Sequence, residues 1–130
     1  KPMPACGFAL GIERVLATLD SCGVVIPKTI PDVYVVSADE KTQLYAWDVC
    51  RELRDNGLKI ILHCGGGALK SQMKKADISG ANFAIIIGDS EMTQKRVSLK
   101  SLRGARMGKA EQQQDLSVID AIRKIRESDV

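Results

Sequence analysis

One stretch restricts the fold of this chain more than any other: GGGALKSQMKKADISGANFAIIIGD, from Gly65 to Asp89. Three glycines open it and let another molecule approach the main chain closely. A helical pattern follows, in which Leu69, Met73 and Ala76 recur at i, i+4 and i+7 as one buried stripe. Gly80 stops that helix. The wholly apolar run Phe83 to Ile87 then has the character of a core strand. A strand entered through a helix is one half of a βαβ unit, so the stretch asks for a parallel strand before it.

The upstream sequence supplies it. VYVVS, Val33 to Ser37, is a short β-branched strand, and KIILH, Lys59 to His63, is a second. Ser37 and Glu40 are spaced as a capping box for the helix between them. In that helix Leu44, Trp47, Cys50 and Leu53 form the apolar stripe, and Asn56-Gly57 ends it. Downstream, Arg96 to Leu102 and Lys109 to Gln114 read as two polar-faced strands joined by a glycine-containing hairpin. Leu116, Ile119, Ile122 and Ile125 line a final helix. The expected fold is α/β: a mixed five-stranded sheet with three helices, in the order β-α-β-α-β-β-β-α.

A chain of 130 residues, 45% apolar, is about one domain with a real core. Its net charge of +3 is too weak to argue for a polyanion partner, but its distribution says more. Met92 to Ala110 holds no acidic residue, while Lys95, Arg96, Lys100, Arg103, Arg106 and Lys109 all fall there. Such clustering is the footprint of a nucleic-acid surface, and solvated loops also produce it. Cys6, Cys22, Cys50 and Cys64 have no metal-ligand spacing, and His63 is the only histidine, so no metal site is expected. The cysteines read as reduced, mostly buried thiols of a cytoplasmic protein. No apolar run is long enough to span a membrane, and no signal peptide is present. The start at Lys1 suggests a fragment or a processed product.

The candidate binding groups sit at the head of the organising stretch. Gly65, Gly66 and Gly67 offer backbone approach and lead to a helix N-terminus, where free N–H groups suit an anionic or polar partner. Lys70 and Gln72 are placed to touch a base or a phosphate, and Lys74 and Lys75 to touch phosphates. The plain alternative is a helix with a solvated basic face. Neither a Walker A loop nor a dinucleotide fingerprint fits these glycines. His63 and Cys64 are adjacent on a strand end and point to opposite faces, which makes a poor nucleophile–base pair. Asp89 and Glu91 read as solvated acids of a strand-exit loop. Asp77 either joins the binding face or pairs with Lys74 within the helix.

The first segment, KPMPACGFALGIERVLATLDSCG, alternates glycines with apolar residues and then turns helical, with Val15, Leu16 and Leu19 on one face and Gly23 at the end. Alternate glycines leave one strand face flat for a planar ligand, and Arg14 at the helix start can grip a phosphate. GFALGIER, Gly7 to Arg14, resembles the third signature motif of class II aminoacyl-tRNA synthetases, in the wording of the histidyl-tRNA synthetase family. The stretch from Gly65 to Glu91 resembles the C-terminal domain of the same family. The similarity continues through KSLR and EQQQD and covers nearly the whole chain.

The resemblance implies three parts. Residues 1–23 correspond to the last strand and helix of a catalytic domain, 24–31 to a linker, and 32–130 to an anticodon-binding domain. Gly11 and Arg14 match the residues that take the adenine and the triphosphate of ATP, and Arg14 is the catalytic group the chain retains. The parent reaction joins histidine to its tRNA with ATP and Mg²⁺, while these residues alone are expected to be inactive and to need no cofactor. The implied partner is the anticodon loop of a histidine tRNA, read through Gly65, Gly66, Gly67, Lys70, Gln72, Lys74 and Lys75. The parent is a homodimer, with no membrane and no DNA as partner. The sequence departs from the family at Gly104 to Lys109, where the hairpin is longer, and at Met92 to Lys95, which lacks an Asn-Gly turn. Two other readings stand beside this one: a non-catalytic tRNA-sensing module, which would have no need of Arg14, and a small ligand-binding domain with no nucleic-acid partner.

Overall fold

Val33–Ser37 forms β1, and all five of its residues are buried. It is flanked on both sides by parallel neighbours, Ile60–Leu62 (β2) and Phe83–Ile87 (β3), with Val33 opposite both Ile60 and Phe83. Arg96–Ser101 (β4) runs antiparallel to β3, and Gln114–Ser117 (β5) antiparallel to β4, giving a sheet of order β2-β1-β3-β4-β5. The computed structural model describes residues 2–27, 29–103 and 113–128. The hairpin at Gly104 to Lys109, and most of the strand expected at Lys109 to Gln114, lie outside the described residues; the strand that pairs with β4 begins at Gln114.

The helices follow from the handedness of the crossovers. From β1 the chain steps one way to β2 through Glu40–Asp55 (α2), then back across β1 to β3 through Leu69–Ile78 (α3). Both crossovers are expected to be right-handed, so opposite steps put their helices on opposite faces. Ala46, Val49, Cys50 and Leu53 of α2 pack on Val33, Val35, Ile85 and Ile87, a core that Ala121, Ile122 and Ile125 of the last helix (Val118–Glu127, α5) complete. On the other face Ala76 of α3 packs on Tyr34 and Val36. The N-terminal helix, Ile12–Ser21 (α1), has no buried residue. The strand expected before it does not form: residues 7–11 have no regular secondary structure and pair with no strand among the described residues.

Several apolar residues lie elsewhere than their periodicity suggested. Leu44 is 78% and Trp47 52% exposed; the buried face of α2 is instead Thr42, Ala46, Val49, Cys50 and Leu53. The small Ala46 and the capping Thr42 let the helix lie close to the sheet. The cap itself is Asp39, whose Oδ1 accepts from the Thr42 N–H, while Ser37 stays buried in β1. Ile119 is exposed and Leu116 belongs to β5. Only Cys50 of the four cysteines is buried; Cys6, Cys22 and Cys64 are exposed free thiols. Burial pushes the Cys50 thiol up to about 11, Arg54 opposing and Cys64 adding to the rise, which keeps it protonated and inert.

A fourth helix within the sheet domain, Asp89–Gln94 (α4), was not expected, because DSEMTQ has no apolar stripe. It ends at Lys95, which takes a left-handed conformation with φ 53° and donates its N–H to Met92 O. A non-glycine residue held there costs about 1–2 kcal/mol, against about 0.5–1 kcal/mol for the extra freedom glycine loses on folding. Lys95→Gly is therefore expected to stabilise the protein by about 0.5–1 kcal/mol, seen as a higher urea midpoint with an unchanged slope.

Candidate nucleic-acid interface

The two crossovers also create the site. After β1 the chain turns to one face of the sheet, and after β2 to the other, so the two exits part and leave a crevice at the carboxyl ends of the strands. Ligands of open α/β sheets bind outside the carboxyl ends of the strands, where this crevice lies. The crevice, of about 390 Å³, is lined on one side by Ser37, Ala38, Asp39, Glu40 and Gln43, and on the other by His63 to Gly67 and Gln72.

The glycine loop forms the second wall and stands exposed. Gly66 and Gly67 have φ of 58° and 90°, left-handed conformations that side chains resist, so glycine is favoured at both. Gly65 differs, because a Cβ there would meet only ordinary contacts with the His63 ring and the Lys75 ammonium. The loop is held from behind. His63, 5% exposed, lies 3.0 Å through Nε2 from Gly66 O and 2.9 Å through Nδ1 from the Tyr34 hydroxyl. A carbonyl only accepts, so Nε2 carries the hydrogen; Nδ1 of the neutral ring then accepts from the Tyr34 O–H. Burial, with a smaller contribution from Cys64, raises the Tyr34 pKa above its ordinary value and keeps the hydroxyl a donor.

Gln72 is the second clamp. Its Nε2 donates to Gly67 O and to Ser37 O, at 2.9 Å each. The amide cannot be turned over, since Oε1 would then face two carbonyl oxygens. Oε1 itself is buried without a partner, an arrangement that costs about 1–3 kcal/mol. Gln72 was expected to touch nucleic acid from the surface. It is 2% exposed, with both its amide hydrogens committed, and it stands behind the loop.

Both loop carbonyls thus turn inward. Among the described residues, no protein group accepts from the N–H groups of Gly65, Gly66 or Gly67. Ala68 caps α3 without a side-chain hydrogen bond, which adds further free donors at the helix start. Lys70, Lys74 and Lys75 are exposed, and none forms an ion pair among the described residues. Lys75 reaches back over the loop, its Nζ 3.8 Å from where a Gly65 Cβ would stand. Asp77 takes Arg103 as partner, at 3.9 Å, rather than Lys74. Arg103 also donates to Asp77 O and Ala81 O, and so ties the end of β4 to the end of α3.

One wall of the crevice thus presents main-chain donors, with the Lys75 ammonium beside Gly65, and the other carries the Asp39 and Glu40 side chains; Lys70 and Lys74 lie on α3 outside the crevice lining. Trp47, once placed in the core, is half exposed on α2. Gly11 caps α1 and Arg14 lies in its first turn, both exposed. They belong to the N-terminal segment and take no part in the crevice. No group of three or more His, Cys, Asp or Glu among the described residues could hold a metal ion. No helix among them is long and apolar enough to cross a membrane.

Residues 32–128 match the family described as "Anticodon binding domain". The histidine–tRNA ligase of Nitrosomonas europaea is 54% identical over 105 residues, covering 81% of this chain and 25% of that protein. That of Thiobacillus denitrificans is 52% identical over 104 residues, covering 80% and 25%. Among solved structures, the histidyl-tRNA synthetase of Nostoc sp. PCC 7120 superposes with a TM-score of 0.69 at 26% identity, over 93% of this chain and 28% of that one. The RNA-binding domain of threonyl-tRNA synthetase from Cryptosporidium parvum, at 23% identity and a TM-score of 0.68, shares the fold. The chain spans about a quarter of the length of the curated relatives it matches.

Proposed function

The chain belongs to the anticodon-binding domain family, and from that premise we propose that it is the C-terminal part of a histidine–tRNA ligase and binds the anticodon loop of a histidine tRNA. The observation that carries this reading is the glycine loop: its N–H groups have no acceptor among the described residues, and Lys70, Lys74 and Lys75 of the following helix are exposed and form no ion pair among those residues. Loop bases splayed from their stack are read by hydrogen bonds to their edges, and main-chain donors at a crevice suit that task. The lysines hold the phosphates, which position the RNA without reading it. Gly65, Gly66, Gly67, Lys70, Lys74 and Lys75 are the contacts proposed, with residues 1–23 a remnant of the catalytic domain and 24–31 a linker.

The parent enzyme would use ATP and Mg²⁺, act as a homodimer and work in the cytoplasm, where exposed thiols stay reduced. Gly11 and Arg14 would lie against the nucleotide there. One exposed guanidinium on a helix without buried residues is too little to hold a triphosphate. No chemical step is therefore assigned to these residues, and the chain by itself is expected to give no ATP–pyrophosphate exchange.

The test is binding of the chain to a GUG-containing anticodon stem-loop and to one with a scrambled anticodon, at two salt concentrations. Preference for GUG supports the reading; equal binding that collapses with salt refutes it. Replacing Lys70, Lys74 and Lys75 together by alanine is expected to weaken both complexes about tenfold at low salt and to flatten the log–log salt dependence by about two. An unchanged slope would remove the phosphate role of α3.

A further inference from the structure

The crevice has two walls, and buried side chains join them. Gln72 bonds Ser37 O at the end of β1 and Gly67 O in the glycine loop with a single nitrogen. His63 joins Tyr34 of β1 to Gly66 in the same way, through its two ring nitrogens. Leucine at position 72 would fill similar space and remove the unpartnered Oε1, but it would leave the Ser37 and Gly67 carbonyls without this donor and the two walls without this link. The amide thus ties the walls together at the cost of an Oε1 with no partner among the described residues.

We propose that Tyr34, His63 and Gln72 are positioning residues for base discrimination, which fix the width of the crevice and the outward direction of the loop N–H groups without touching RNA. The inference rests on the anticodon reading given above. Base edges are distinguished by where donors and acceptors stand, so a loop free to rotate its peptides would offer donors in several places and discriminate less. Phosphate attraction has no such requirement. The clamps thus govern selectivity and leave the salt-dependent part of binding alone. The three side chains do the same work from different elements: Tyr34 from β1, His63 from the end of β2 and Gln72 from α3. All three are less than a tenth exposed, and their polar hydrogens are committed within the protein, Tyr34 to His63, His63 to Gly66 O and Gln72 to Ser37 O and Gly67 O.

Two variants separate positioning from general support. Tyr34→Phe removes one hydroxyl and keeps the ring; Gln72→Met keeps the length and removes the donors. Each is measured for melting temperature, for the Kd ratio between scrambled and GUG stem-loops, for the salt slope, and for the amide resonances of Gly66 and Gly67 without RNA. The expected result is shifted glycine resonances and a ratio at least fivefold smaller, with the salt slope unchanged and the melting transition retained. A wild-type chain that discriminates, beside folded variants that discriminate equally well, overturns the inference and leaves the anticodon reading standing. Unmoved glycine resonances in both variants overturn it as well. A wild-type chain that binds both loops equally removes the anticodon reading itself, and the inference with it. Should Gln72→Met not fold, Tyr34→Phe decides the matter.

Discussion

Ile85→Ala is expected to destabilise the protein by about 3–4 kcal/mol, within the 2–5 kcal/mol range of large-to-small core changes. Ile85 is fully buried in the middle of β3, paired with Val35 on one side and Leu99 on the other. Its side chain lies in the core shared by α2 and α5, so elements on both sides of the resulting cavity are held by their own ladders and helices and cannot collapse into it. Strands β1 and β4 meet only through β3. The loss is read from urea unfolding as a lower midpoint with the slope retained. A loss under about 1 kcal/mol would mean that the helices close over the gap, contrary to the packing described.

Glu91→Gln is expected to cost about 2 kcal/mol near neutral pH, at the scale of hydrogen bonds to a charged group. Glu91 lies in the first turn of α4, directly after β3. Its Oε2 accepts from the Gly88 N–H at 3.0 Å and the Ser90 hydroxyl at 2.9 Å, and its Oε1 from the buried Ser98 hydroxyl at 2.8 Å. Burial pushes the carboxyl upward. The bonds from Ser98, from its own N–H, from Ser90 and from Gly88 together outweigh burial and hold its pKa below the ordinary value. The sign follows. A pKa lowered in the folded state contributes stability that is complete above the unfolded-state pKa and is lost as pH falls through the folded one. The difference between wild type and Glu91→Gln should therefore be full at neutral pH and shrink on acidification below the usual glutamate range. A gap that stays constant down to pH 3 would show that the charge is not what matters. Gly88 belongs to the same device, because a Cβ there would stand 2.9 Å from Glu91 Oε2.

The contrast between these two positions shows what the sequence could reveal. β1 and β3 were legible, with their present bounds, because VYVVS and FAIII are unbroken runs suited to strands buried on both faces. The ends of α2 and α3 were legible from Asn56-Gly57 and Gly80, since positive φ needs such residues. The rotation of α2 was not. Leu44 and Trp47 are large apolar side chains in its first half, yet there the sheet accepts a face of Thr42, Ala46 and Val49, small enough for close approach. Glu91 read as a solvated acid because its partner Ser98 lies on another strand. The glycine loop announced itself through composition. Its clamps did not: Tyr34 and His63, or Gln72 and Ser37, become neighbours only after the sheet has closed. The structural signal for Gln72 is burial with an orphaned oxygen, and no pattern in a linear sequence carries that.

The strand order has a consequence for how the chain is made. β1 is an interior strand and wholly buried, yet its partners come later: Ser37 pairs with Ile87, and Val35 with Leu62. At about 5–20 residues per second, the fifty positions separating Ser37 from Ile87 take roughly 3–10 s to synthesise. Until then VYVVS has at most β2 beside it and one edge open, and an apolar strand with an open edge is the kind of segment that joins neighbouring chains when exposed. Asp32 stands immediately before it, and Asp39 and Glu40 just beyond Ala38. Acidic residues on both sides of such a run are gatekeepers. Two of these carboxylates also have structural roles once folding is complete, Asp32 accepting from the Lys59 N–H and Asp39 capping α2. The groups that shield the strand while it waits are among those that secure it afterwards.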